Sequence, residues 1–324
     1  MKSLIKLINR HLKPQSAVLL CSLVILQALC TACGTDSSSR SMTADPNAAP
    51  GTRDNTPEVL APAAPGTKVL SQNGAEIDYS NSAEGYVCVR YSGSAAKVKL
   101  QITCPDDVVY TYTLTPNSGD YDFFPLSSGD GRYKAAVYTL IRDKLYATAC
   151  SLDLDVALAD PYRPYLYPNQ YVWFTSGTEA VAKAEEICAP ANTDLDTVSI
   201  VYNYVSDTID YDREEADTVQ SGYVPDVDAV MQRKKGICFD YCSLMAAMLR
   251  SQRIPTRLEI GYAGTAYHAW ISVYLQNIGW VDGIIRFDGQ SWSLMDPTLA
   301  STTGTTKLKK FIGDGSNYQT KFIY

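Results

Sequence analysis

Cys238 is the side chain best placed to act as a nucleophile. It sits in Lys235-Gly236-Ile237-Cys238-Phe239-Asp240-Tyr241-Cys242-Ser243-Leu244-Met245-Ala246-Ala247-Met248-Leu249-Arg250. Cys242, Met245, Ala246 and Leu249 recur at helical spacing, and Gly236 stands just before the helix can begin. Cys238 therefore falls in the first turn, where unpaired backbone N–H groups and the positive end of the helix dipole are expected to lower a thiol's pKa. The same N–H groups could hold an oxyanion during attack on an acyl carbon. A cysteine at a helix start is, taken alone, more often a structural thiol. His268 changes that reading, because His11 is the only other histidine and it lies in a leader-like N-terminus. A thiol nucleophile needs a group to take its proton and return it to the leaving amine, and one imidazole is available. The run Ala266-Tyr267-His268-Ala269-Trp270-Ile271-Ser272-Val273-Tyr274 reads as a strand with His268, Trp270, Ser272 and Tyr274 on one face.

A third member would be a carboxylate that fixes the imidazole's tautomer and orientation. Asp296, in Trp292-Ser293-Leu294-Met295-Asp296-Pro297-Thr298, is biased toward extended backbone by Pro297. Asp282 and Asp288 compete for the role.

Gly236-Ile237-Cys238-Phe239-Asp240, Arg253-Ile254-Pro255-Thr256-Arg257, Gly261-Tyr262, His268-Ala269-Trp270, Gly279-Trp280 and Asp296-Pro297-Thr298 together resemble the transglutaminase-like superfamily in order and spacing. The resemblance covers roughly residues 180–298. It implies an α+β papain-like core in which a helix bearing the cysteine packs on an antiparallel sheet. It also implies Cys238 as nucleophile, His268 as general base and acid, and Asp296 as orienting carboxylate. Two positions depart from the pattern: Cys242 stands where a small residue is common, and Arg253 stands where Gly usually precedes Ile-Pro-Thr-Arg. The implied reaction passes through a thioester, which water resolves in a peptidase or amidase and an amine resolves in a crosslinking transglutaminase. Hydrolysis of peptide or isopeptide bonds is the expectation. Crosslinking and a non-catalytic binding role are the alternatives. No cofactor is expected, and a zinc site at Cys238, Cys242 and His268 lacks a fourth ligand. Asp240 is expected to serve the helix start, and Trp270 to pack rather than react.

The elements that must position these groups begin with helices after Thr178, where Ala180, Val181, Ala184 and Ile187 recur, and from Asp194 to Ser206. The acidic run 210–217 lacks the ligand spacing of a calcium loop and reads as a solvated loop. Upstream, residues 68–160 alternate with period two in short segments such as Val98-Lys99-Leu100-Gln101-Ile102. Turn signals such as Pro116-Asn117-Ser118-Gly119 separate them. That pattern suggests an all-β immunoglobulin-like sandwich preceding the catalytic domain at 179–324. Between the two, residues 161–178 begin Pro161-Tyr162-Arg163-Pro164-Tyr165-Leu166-Tyr167-Pro168 and read as a linker that packs its rings between domains, with a sugar-stacking platform as the rival reading.

The first 32 residues have the layout of an export signal, with Lys2, Lys6, Arg10 and Lys13 before an apolar run that ends at Thr31-Ala32-Cys33-Gly34. This ending resembles a bacterial lipobox, which would make Cys33 the lipid-bearing residue, although Cys30 stands where Leu is usual. Residues 33–67, rich in Ser, Ala, Pro, Thr and Gly, read as a disordered tether. The expected location is extracytoplasmic, lipid-anchored to a bacterial membrane, with a peptide, protein or peptidoglycan substrate. Without the leader, 24 of the 28 basic side chains remain against all 35 acidic ones, a net charge of −11 that makes nucleic acid a poor partner. Cys88, Cys104, Cys150 and Cys188 could form disulfides in that compartment or remain buried thiols.

Overall fold

A computed structural model describes residues 49–263, 265–287, 292–294 and 318–324. Residues 69–156 form eight strands: β1 (Val69–Gln72), β2 (Ala75–Asp78), β3 (Tyr86–Tyr91), β4 (Val98–Thr103), β5 (Val109–Leu114), β6 (Asp122–Pro125), β7 (Gly131–Arg142) and β8 (Leu145–Val156). They make two four-stranded antiparallel sheets, ordered β1-β2-β3-β6 and β5-β4-β7-β8. Period-two alternation decides which side chains enter the core: Val98, Leu100 and Ile102 of β4 and Tyr110, Tyr112 and Leu114 of β5 are buried, and their neighbours are not. Cys88, Cys104, Cys150 and Cys188 are buried free thiols rather than bridges. Burial pushes Cys88 and Cys188 up to about 12 and Cys104 up to about 11, so they are inert.

The C-terminal half contains α1 (Glu179–Cys188), α2 (Asp194–Thr208), β9 (Asp210–Tyr211), α3 (Arg213–Thr218), α4 (Val227–Arg233), β10 (Lys235–Gly236) and α5 (Cys238–Ser251). These are followed by β11 (Thr256–Ala263), β12 (Ala266–Leu275), β13 (Gly279–Phe287), β14 (Trp292–Leu294) and β15 (Tyr318–Ile323). The last five strands form one antiparallel sheet, ordered β14-β13-β12-β11-β15. Helix α5 packs on β11 and β12. Met245, Ala246 and Leu249 share a core with Leu258, Ile260, Ala269, Ile271 and Val273. The run 210–217 differs from the solvated loop expected of it. Asp210 and Tyr211 pair in parallel with Lys235 and Gly236, and Asp212 caps α3 by accepting the Glu215 N–H at 3.0 Å.

In the segment 161–178, Tyr165 makes contacts on both sides. Tyr165 donates to the Ser127 carbonyl at 2.7 Å on one side and meets the Trp280 ring at 5.1 Å on the other. Residues 50–58, expected within the free tether, are instead tied to the C-terminal half. Gly51 N–H donates to Ala189 O at 2.8 Å, Glu58 N–H to Ser251 O at 2.8 Å, and Arg53 Nε to Asp194 at 2.7 Å. Composition misleads here because the strap buries few side chains of its own and is held through its backbone. Arg253 explains its departure from the superfamily pattern: it takes the left-handed backbone usual for Gly (φ 64°), and its guanidinium grips the carbonyls of Thr56 and Asp54.

At the far end of α5, Arg250 is 1% exposed. Its Nε and Nη2 donate to Thr256 O at 3.0 and 2.8 Å, Nη1 to Tyr167 O at 2.7 Å, and Nη2 also to Tyr324 O at 2.7 Å. One planar fork thus joins the helix, the start of β11, the linker and the end of the chain. Burial lowers its pKa to about 9, so it stays charged at neutral pH. Lysine cannot reach three carbonyls in one plane. Arg250→Lys is therefore expected to lose about 3–5 kcal/mol of unfolding free energy in urea, and a loss under 1 kcal/mol counts against this role.

Candidate active site

Cys238 is the first residue of α5, and the chain arrives there by a constrained route. Lys234 turns the end of α4 in a left-handed conformation (φ 50°), β10 pairs with β9, and Ile237 stands extended as the N-cap. Asp240, as expected, serves the helix start. Its Oδ2 accepts the Ile237 N–H at 2.9 Å and an Arg233 Nη2 hydrogen bond at 3.3 Å, while Oδ1 accepts from the Tyr223 hydroxyl at 2.7 Å. Gly236 is needed at this turn, because a Cβ there would lie 2.7 Å from that of Asp240. The expectation that Asp240 is structural holds, and three donors hold it.

His268 is half-buried in β12, with Gly261 of β11 directly opposite. The backbone amides of Ala269, in the peptide that follows His268, and of Phe239 lie near enough to the Cys238 sulfur to favour its thiolate, and α5 packs on β12. The sulfur at the helix start is thereby held against the strand that carries the imidazole. Asp296 lies outside the described residues, as does Asp288. Cys33 lies outside them too.

The electrostatics correct one expectation. Burial raises the Cys238 thiol above its ordinary pKa, and the N–H groups of Ala269 and Phe239 offset only part of that rise. Burial likewise lowers the His268 pKa. These shifts favour a neutral thiol at Cys238 and a neutral imidazole at His268 in the resting state, because a charged form at a shielded site loses hydration. Cys242, one turn along, is fully buried with its pKa well above the ordinary value and belongs to the core.

Two groups here were not legible beforehand. Tyr211 lies near Cys238, and burial, with the neighbouring thiol, pushes its hydroxyl up to about 12. Its position depends on β9, which the acidic composition concealed. Glu259, 6% exposed in β11, accepts from Ser272 Oγ at 2.6 Å, Thr320 Oγ1 at 2.8 Å and Trp270 Nε1 at 3.1 Å. Trp270 thus packs and anchors a buried carboxylate rather than walling an opening. Nothing in an alternating strand distinguishes such a glutamate from a solvated one.

Residues 181–283 match the family model of the transglutaminase-like superfamily. That region, 103 of the 324 residues, is similar to the superfamily. Its fold is the α+β core described above, with the cysteine-bearing helix on an antiparallel sheet. Three solved structures are similar to the chain. A Cytophaga hutchinsonii protein provisionally named a cysteine protease shares 14% identity over 66% of this chain and 67% of its own, with a TM-score of 0.33. A Parabacteroides distasonis protein provisionally named a protease shares 10% over 63% and 62%, with a TM-score of 0.29. The red sea bream transglutaminase shares 13% over 66% and 48%, with a TM-score of 0.24. The chain therefore spans less than two thirds of the latter two. No match is found among curated proteins.

The raised thiol pKa has a direct readout. In the substrate-free protein, carbamidomethylation of Cys238 by iodoacetamide is expected to be slow at pH 7 and to rise with a midpoint above 9.0, the thiol's ordinary value here. Peptide mass spectrometry across pH measures it, and a rate already on its plateau at pH 7 would show a thiolate–imidazolium pair instead.

Proposed function

We propose that this protein is a thiol acyl-transfer enzyme that hydrolyses peptide or isopeptide bonds, with Cys238 as nucleophile, His268 as base and acid, and Asp296 as the orienting carboxylate. The observation that carries the reading is Cys238 at the start of α5, packed on the strand that bears His268, inside a region of transglutaminase-like sequence. As substrate enters, the imidazole takes the thiol proton while sulfur bonds to the amide carbon. The tetrahedral oxyanion collapses to a thioester as the C–N bond breaks, and the proton passes from His268 to the leaving amine. Water then attacks the thioester under the same base, the C–S bond breaks, and the proton returns to sulfur. A neutral imidazole is the form required for the first transfer, and its lowered pKa keeps it neutral at pH 7.

Tyr211 gives this reading a donor for the oxyanion. Its hydroxyl lies near Cys238 and stays protonated at neutral pH, because burial pushes it up to about 12. Tyr211→Phe is expected to lower kcat about 100-fold with KM little changed, measured on a cleaved peptide. An unchanged kcat removes Tyr211 from the reaction.

The eight-stranded region upstream is read as an immunoglobulin-like sandwich that spaces or recognises. Cys33 is read as the lipid-bearing residue of an extracytoplasmic, membrane-anchored form. The test of the activity compares wild type with Cys238→Ala on a peptide library and on peptidoglycan fragments, with and without a dansylated primary amine. Wild type is expected to release new amine termini, and the variant to fall by about 10⁴-fold or more. Dansyl incorporation in preference to cleavage would make the protein a crosslinking enzyme, and equal turnover by the variant would overturn the nucleophile.

A further inference from the structure

A cavity of about 370 Å³ opens where the β-region meets the linker and the C-terminal sheet. Its size falls in the range of small-molecule sites, about 300–1,000 Å³. Tyr162, Tyr165, Trp280, Ser128 and Arg257 are among the residues that line it, and no acidic residue does among those described. Arg257 belongs to β11 and pairs across with Ser272, four residues along β12 from His268, so the cavity lies roughly 13 Å along the strand from the imidazole. It is separate from the thiol site.

The state of Arg257 is what marks this cavity. Its guanidinium carbon lies 3.6 Å from the Trp280 ring centroid and 4.8 Å from that of Tyr165, so two aromatic faces hold it in position. Among the described residues no carboxylate reaches it within 4.0 Å and its Nε has no hydrogen-bond partner. Most of the other described arginines are paired: Arg53, Arg90, Arg132, Arg163, Arg233 and Arg253 all meet a carboxylate, and buried Arg250 fills its fork with carbonyls. Arg257 is thus a fixed cation with an unmatched Nε at the wall of a cavity whose described lining holds no acid. Tyr162 stands at the same cavity, its ring 4.1 Å from that of Tyr274 and 6.4 Å from that of Trp280. A cluster of ring faces beside one cation suits a ligand with a flat apolar face and a carboxylate.

We propose that this cavity binds a carboxylate-bearing sugar. The pyranose C–H face would lie on Tyr162 and Trp280, the carboxylate on Arg257, and the remaining hydroxyls would meet the polar Ser128–Gly129 turn. This answers the question raised by the tyrosine-rich linker differently at its two ends. Tyr165 is a packing residue, and Tyr162 faces a ligand. The site does not depend on the thiol reaction.

The experiment is calorimetric titration of the full-length protein with D-glucuronate, D-glucose and cyclohexanecarboxylate at fixed ionic strength, with quenching of tryptophan fluorescence as a second readout. Glucuronate is expected to bind saturably, at least ten-fold more tightly than either of the others. Arg257→Gln is expected to weaken glucuronate at least ten-fold and leave the glucose signal unchanged. Should that variant unfold, Tyr162→Ala serves instead and is expected to weaken glucuronate at least three-fold. Equal binding of glucose removes the role of the cation, and equal binding of cyclohexanecarboxylate removes the sugar. Glucuronate binding undiminished in both variants, or no binding of any of the three, overturns the proposal outright.

Discussion

A charge without a counter-charge holds the C-terminal half in register. Arg250 ends the buried helix that Cys238 begins, and its guanidinium is spent entirely on backbone carbonyls of Thr256, Tyr167 and Tyr324. Burying a guanidinium is costly, and carbonyl dipoles offset that cost only when every donor is matched. The helix can therefore occupy one depth and one rotation relative to β11, the linker and the last residue of the chain. Its other end inherits that precision. The Cys238 sulfur can lie near the backbone of Ala269 only if a helix of 14 residues starts in the right place.

The start of the same helix is governed by the opposite economy. Asp240 is a buried carboxylate whose pKa is raised mainly by burial, with the Ile237 N–H, Tyr223 and Arg233 working against that rise. The helix therefore carries a buried cation at one end and a buried, heavily donated acid at the other, in the orientation that its own dipole does not oppose. At the acid's end of the helix Cys238, and on β12 His268, sit where neither charged form is favoured in the resting state. Reactivity on this account is supplied when a substrate carbonyl arrives, rather than stored as a standing thiolate.

The cysteine-bearing helix was legible because its signal is local: apolar residues at helical spacing, a glycine before the first turn and an acid three residues into the helix each report a nearby constraint. The strands of the β-region were legible for the same reason, since Val98 to Ile102 and Val109 to Leu114 alternate cleanly. What escaped depends on partners distant in sequence. Tyr211 reaches Cys238 only after a two-residue strand pairs with Gly236, and the surrounding acids spoke for a solvated loop. Glu259 is buried because Trp270, Ser272 and Thr320 happen to converge on it. The thiol's pKa was misjudged because the dipole of a helix start can be read from sequence, whereas the burial that outweighs it cannot.

The strap at residues 50–58 bears on how the protein assembles. Its partners Ala189, Asp194, Ser251 and Arg253 lie some 130 to 200 residues later in the chain. During synthesis this segment emerges early and can settle only once the end of α5 has been made, so its hydrogen bonds close late against a nearly finished core. The β-region between them can complete its two sheets in the meantime. The earliest described residues thus become the last seam to close, and docking of the strap would report that α5 has found its place.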